Sequence, residues 1–235
     1  MPITRKKKVD SATLPLSGSE RTFGDAHNME YSKHWLSNNC YGYAADVLMK
    51  QHTKLQPGNL SNDQLDDLTC PNVRKLVLQD LAKSRKAYAA PVTKPCKQGF
   101  YKIMPFVSRG QEDFHFLVQM KGVKWLSRKG DTLRKLARWF RVPMSKLAMR
   151  GKRVSVDAPL PLGTVVSVDR QVWGHKRGTS GPPLVHDCKG RVITHPTKAC
   201  LSYPDGYNYD QSCGSICITR KPRAKPTRQN RKNKT

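Results

Sequence analysis

Apolar and polar positions recur with two different periods along this chain, and the changes of period predict its elements. After Trp35, Ser37-Asn38-Asn39 offers helix-capping side chains, and Tyr41, Ala44, Ala45, Leu48 and Met49 follow at helical spacing. Gln56-Pro57-Gly58 ends that segment as a turn. Leu65, Leu68, Val73, Leu76, Val77 and Leu81 give a second helical region, 63–86, with an apolar stripe that Pro71 interrupts. The stretch from Pro91 to Pro95 reads as a linker. Beyond it Phe100-Tyr101-Lys102-Ile103-Met104 and Phe114-His115-Phe116-Leu117-Val118 predict two strands.

The next stretch changes period twice. Lys124-Trp125-Leu126-Ser127 predicts a strand, and Lys129-Gly130-Asp131-Thr132 a turn with Asp131 or Thr132 capping a helix. Leu133, Leu136, Ala137 and Phe140 then share one helical face. After Val142-Pro143-Met144-Ser145, Leu147 anchors a second short helix, and Leu162-Gly163 turns into the β-branched strand Thr164-Val165-Val166-Ser167-Val168. The predicted order is β-α-α-β. These residues resemble the LysM family across roughly 124–168. The resemblance implies a groove for N-acetylglucosamine polymers formed by Gly130, Asp131, Thr132 and Arg150. Arg150 replaces an asparagine usual near that position, and the surface is far more basic than a neutral glycan needs. Docking to another virion protein, or to a polyanion, therefore stays open beside glycan binding.

Charge adds a second layer to this division. The formal net charge is +26. Arg5, Lys6, Lys7 and Lys8 open the chain without an acid, and Arg220, Lys221, Arg223, Lys225, Arg228, Arg231, Lys232 and Lys234 close it in the same way. The window 121–168 holds twelve basic residues against Asp131 and Asp157, so little net charge remains for the other segments. Basic blocks of this kind are expected to be disordered and to bind DNA or RNA by releasing counterions. Disordered tails are expected over 1–20 and 220–235. No run of apolar residues is long enough to span a membrane, and the basic start lacks the apolar core of a secretory signal.

Seven cysteines, at 40, 70, 96, 188, 200, 213 and 217, leave one unpaired under any disulfide scheme. Without a signal segment, reduced and mostly buried thiols are the expectation. Cys188, Cys200, Cys213 and Cys217 with His186 and His195 offer zinc-ligand types, but lack the paired Cys-x2-Cys spacing that marks such sites. No metal or cofactor is expected.

With 121–168 set aside, three separated segments read in order. They are Asn39-Cys40-Tyr41-Gly42-Tyr43-Ala44, then Asp113-Phe114-His115-Phe116 running on to Trp173-Gly174-His175-Lys176-Arg177-Gly178, then Asp187-Cys188-Lys189-Gly190-Arg191. Trp125-Leu126-Ser127-Arg128-Lys129-Gly130 echoes the tryptophan segment, but only the later copy keeps a histidine, His175. This text resembles a group of cysteine-hydrolase-like proteins of phages and large DNA viruses. The order of a cysteine on a helix, a histidine opening a strand and a polar residue on the next strand is that of NlpC-type, papain-like amidases and peptidases. The resemblance implies Cys40 as nucleophile, His115 as base and His175 as orienting group, with Asp187 as the alternate. A helix N-terminus and a nearby imidazole would hold Cys40 as thiolate.

The expected architecture is α+β. A papain-like, NlpC-type helix-plus-antiparallel-sheet domain spans 21–120 and 169–219, with a β-α-α-β LysM lobe inserted at 121–168. The expected function is a virion- or polyanion-associated cysteine hydrolase. The alternative is an inactive structural virion protein that uses the lobe and tails for docking and nucleic-acid binding. The expected location is a virion if the chain is viral, and otherwise cytoplasm or nucleus.

Overall fold

The structure, a computed structural model, describes residues 14–24, 26–49, 54–84, 86–108, 110, 113–149, 154–178, 180–204 and 207–220. It is an α+β fold in which helices and irregular chain pack against one largely antiparallel sheet. The strands are β1 (Arg21–Phe23), β2 (Ala87–Ala90), β3 (Phe100–Val107), β4 (Phe114–Leu126), β5 (Leu147–Met149), β6 (Val165–Val168), β7 (Val172–His175), β8 (Gln211–Ser212) and β9 (Ser215–Thr219). The helices are α1 (Ala26–Lys33), α2 (Cys40–Ala45), α3 (Cys70–Ser84) and α4 (Leu133–Phe140). The main path across the sheet is β2-β9-β3-β4-β6-β5. No helix among the described residues is long and apolar enough to cross a membrane.

Strand β4, 13 residues long, organises everything else. Antiparallel β3 and parallel β1 pair with it, and so do antiparallel β7 and β6. Val118 faces Gly174 and Gln119 faces Trp173 in the β4–β7 pair. Further along β4, Val123 faces Val168. Lys121-Gly122 thus stand opposite the three residues Asp169, Arg170 and Gln171, and on the β1 side the pairing skips Lys121. That irregularity has the form of a β-bulge, which bends and rotates a strand. Its effect shows in the packing. Phe114, Phe116, Val118 and Met120, at even positions, share one core with Val123 and Trp125, at odd positions. A regular strand would have turned the last two to the other face.

The segment 121–168 is therefore not a lobe projecting from the sheet, as the sequence suggests. Its first strand is the far end of β4, and β6 and β5 extend the same sheet. Leu136, Phe140, Leu160, Val166 and Val168 belong to the same buried core as Tyr41, Val77 and Ile216. Among the described residues the second helix expected there is also absent. Met144–Lys146 makes a single 3-10 turn, and Leu147, Ala148 and Met149 pair with Val168, Ser167 and Val166 instead. Three residues gain more from a ladder beside a β-branched strand than from an isolated helical turn.

Two other expectations change. Pro71 lies in the first turn of α3 and starts that helix instead of interrupting it, because an opening turn has no use for its missing N–H. Residues 54–69 are turn and coil. The chain is also ordered earlier than its composition suggests. Leu14 is buried, the Gln119 amide donates to the Leu14 and Pro15 carbonyls, and the Glu20 carboxylate accepts from Ser17 and Gly18. Residues 1–13 and 221–235, which hold Arg5, Lys6, Lys7, Lys8, Lys221, Arg223, Lys225, Arg228, Arg231, Lys232 and Lys234, lie outside the described residues. Arg220 follows β9, and its N–H faces the Gly99 carbonyl.

The cysteines are not reduced. Cys70–Cys213 ties α3 to the β8–β9 connection, Cys96–Cys217 ties the 91–99 loop to β9, and Cys188–Cys200 closes a loop on the opposite face. The four late cysteines are thus shared among three disulfides, and no zinc set is formed from them. Cys40 is the one free thiol of the seven.

Candidate active site

Cys40 is the first residue of α2. Asn39 caps that helix, its Oδ1 accepting from the Gly42 N–H at 3.0 Å while its Nδ2 donates to the Leu55 carbonyl at 2.7 Å. The cap therefore fixes both where the helix starts and how the cysteine is presented. Gly174 lets the helix sit close against β7: a Cβ there would meet the Tyr43 hydroxyl at 3.2 Å and the Met120 methyl at 3.1 Å. Beyond His175 the β4–β7 ladder stops. There Cys40 Sγ donates to the Phe114 carbonyl, at the start of β4, at 3.7 Å.

His115, second in β4, and His175, last in β7, are both buried. His115 Nε2 lies 2.9 Å from His175 Nδ1, and His175 Nε2 lies 2.7 Å from the His186 carbonyl. A carbonyl only accepts, so His175 Nε2 carries the proton and its Nδ1 is an acceptor. His115 Nε2 must then donate, which leaves a lone pair on His115 Nδ1. The backbone of residue 186 thereby sets the tautomer of a base two rings away. Stacking on Tyr209, with centroids 4.9 Å apart, holds the His115 ring from the side.

Electrostatics keep this chain of groups neutral at rest. Burial drives His115 well below the usual imidazole range, with His175 and Arg177 pushing the same way. Burial likewise takes His175 down to about 4, against the opposing pull of the His186 carbonyl. Burial pushes the Cys40 thiol up to about 12, and the Asp113 carboxylate adds to the rise. The Phe116 and Tyr41 N–H groups and the Lys176 ammonium oppose it. A preformed thiolate, expected from a helix start beside a histidine, is thus not the resting state: Cys40 is only 3 % exposed, and desolvation outweighs the favourable dipoles. Among the described residues no hydrogen bond joins Cys40 to His115. Both line one cleft of about 350 Å³ with Lys54, Asp113, Arg177 and Tyr207, among others.

Asp187, the alternate orienting group, is committed elsewhere. Its carboxylate pairs with Arg191 at 2.7 Å and accepts from the backbone of Lys189, Arg191 and Cys200. It holds the 187–200 loop, while His175 makes the hydrogen bond to His115. Three contributors escaped the sequence reading: the His186 carbonyl, Tyr209 and Arg177. A backbone carbonyl leaves no trace in residue identity. Arg177 did leave one, since it stands two positions after His175, just past the end of β7.

The residues expected to line a glycan groove have local duties. Asp131 accepts from the Trp125 indole and the Arg128 N–H, each at 2.8 Å. Thr132 caps α4 by accepting from the Lys135 N–H, and Gly130 makes the preceding turn at φ +81°. Arg150 lies outside the described residues. Among the described residues no group of three or more histidine, cysteine or acidic side chains is placed to hold a metal. No family model, no curated protein and no solved structure matches the chain.

Proposed function

We propose that the chain is a cysteine hydrolase of the acyl-transfer class, with Cys40 as nucleophile, His115 as base and His175 as the residue that orients it. The observation that carries this reading is the His115–His175–His186 carbonyl relay, which leaves a lone pair on His115, a residue that lines the same cleft as the one free thiol. Because thiol and imidazole are both neutral, the proton moves as attack occurs. The thiol turns from the Phe114 carbonyl, its proton passes to His115 Nδ1, and sulfur bonds to the acyl carbon. His115 then protonates the departing amine or alkoxide. Water, giving its proton to His115, hydrolyses the thioester and returns the thiol.

Three disulfides favour a working place outside a reducing cytoplasm, and of the locations considered a virion fits best. The LysM-like segment and the basic tails would then serve attachment, to a glycan, another virion protein or nucleic acid.

A second reading has its own observation. The near-complete burial of Cys40 and its raised pKa suit a spent hydrolase scaffold that works as a basic virion protein. Alkylation separates the two. In the folded, non-reduced protein, iodoacetamide should label Cys40 at neutral pH faster than the raised pKa alone allows, and His115→Ala should remove that excess. A Cys40 that stays unlabelled until the protein unfolds, in wild type and variant alike, would establish the inert scaffold.

A further inference from the structure

Among the described residues the cleft wall carries two cationic side chains, Lys54 and Arg177, and one acid, Asp113. Lys54 is exposed. The Arg177 guanidinium lies over the Tyr203 ring at 4.1 Å, which orients it beside the two histidines. Asp113 is already engaged on both oxygens, by the Phe114 N–H at 2.8 Å and the Tyr209 hydroxyl at 2.6 Å. Tyr207, 40 % exposed, extends the wall outward.

We propose that this cleft selects acyl substrates carrying an anionic group, a carboxylate or a phosphate, beside the reacting carbonyl, and that Arg177, assisted by Lys54, holds that group. The proposal rests on Cys40 being the nucleophile. Guanidinium suits both anions, because its planar N–H pairs match two oxygens at once. Occupancy also has a chemical consequence. Arg177 is one of the charges that disfavour a protonated His115. An anion lying against the guanidinium offsets that charge, so His115 becomes a stronger base when the correct substrate is present.

Two alkylating agents that differ by one charge test this without a known substrate. Both form a bond from Cys40 sulfur to a methylene carbon and expel iodide, with the thiol proton passing to His115. For Cys40 the rate ratio of iodoacetate to iodoacetamide should exceed that for N-acetylcysteinamide about tenfold at equal pH and ionic strength. Arg177→Gln should remove most of that excess, Lys54→Gln a smaller part, and Arg177→Lys should retain it. Arg138→Gln, on α4 and away from the cleft, controls for the general positive charge and should leave the ratio unchanged. Acetate and inorganic phosphate, each added as competitor to the iodoacetate reaction, tell which anion the pair prefers. Equal ratios in Arg177→Gln, Lys54→Gln and Arg138→Gln would overturn anion selection. If Arg177→Gln fails to fold by circular dichroism, Lys54→Gln and the competitors still decide. A normal, His115-dependent reaction with iodoacetamide but no preference for iodoacetate rejects anion selection alone. No reaction with either reagent rejects the nucleophile as well.

Discussion

The two ends of the sheet are held together by different means. At the β2-β9-β3 end, two disulfides join segments 143 and 121 residues apart in sequence, and the site lies where this half meets β7. The β6-β5 end has no cysteine and no histidine between residues 121 and 168. An aromatic group holds it: Trp125 and Trp139 meet edge to face at 4.6 Å, with Phe140 against both. Its ion pairs, Arg134–Asp157 and Lys146–Asp169, are exposed and screened by solvent, so they contribute little. Leu126, Leu162 and Val165 stay exposed. The contrast teaches that covalent staples and packed aromatics can serve one core. The buried histidine pair, which needs a fixed geometry, adjoins the stapled end.

The largest expected effect tests whether these ends are one folding unit. Phe140 is fully buried in the shared core, and Phe140→Ala should cost about 3–5 kcal/mol. The readout belongs at the other end: the urea midpoint for exposing Cys40 to alkylation should fall together with the midpoint seen by tryptophan fluorescence. Two separate midpoints would mean that the aromatic end melts alone, and that the continuity of β4 does not couple the halves.

What the sequence reveals follows the same division. The start of α2 at Cys40, the opening of β4 near His115 and the placing of His175 on the partner strand depend on local signals, a capping asparagine and β-rich runs. The segment 121–168 misleads for a physical reason. Its pattern is that of a self-contained module, but the bulge at Lys121-Gly122 turns Val123 and Trp125 into the neighbouring core, and a bulge is defined only by the strands beside it. The disulfides were hidden differently. Seven cysteines require an odd one out, yet which pairs form depends on the distances folding creates. The carbonyl of His186 was illegible at any level of sequence reading.

A smaller effect assigns acid sensitivity to the stapled end. His115, His175 and His186 are all held neutral by burial, His175 and His186 down to about 4. The unfolded chain takes up protons below about 6.5 while the folded chain does not. Stability is therefore complete above about 6.5 and is lost as pH falls from there towards 4. Each such group contributes at most about 1.4 kcal/mol per pH unit. Urea unfolding at pH 7, 5.5 and 4.5 should show this slope, and His175→Gln should reduce it. An equal slope in that variant would move the sensitivity away from the relay.

The smallest effect concerns a ring contact that joins the ends. Trp139 of α4 stacks on the His186 ring with centroids 4.3 Å apart and planes 13° from parallel, and the carbonyl of that same His186 fixes the His175 tautomer. His186→Ala removes the ring but keeps the carbonyl, so it separates packing from relay. A double-mutant cycle of Trp139→Ala with His186→Ala should give a coupling of about 0.5–1.5 kcal/mol, the range for paired rings. Stability alone cannot say whether the stack also steers the carbonyl. Nitrogen-15 shifts of the His175 ring can, because they report which nitrogen holds the proton. Wild type should show the Nε2-protonated form, and Trp139→Ala a mixture, with Trp139→Phe restoring the single form. A coupling in the expected range with unchanged shifts would mean that the stack joins the two ends mechanically and leaves the relay to its backbone. A mixture would instead make the aromatic end a positioning element of the site, and any ligand that moved α4 would then alter the base at His115.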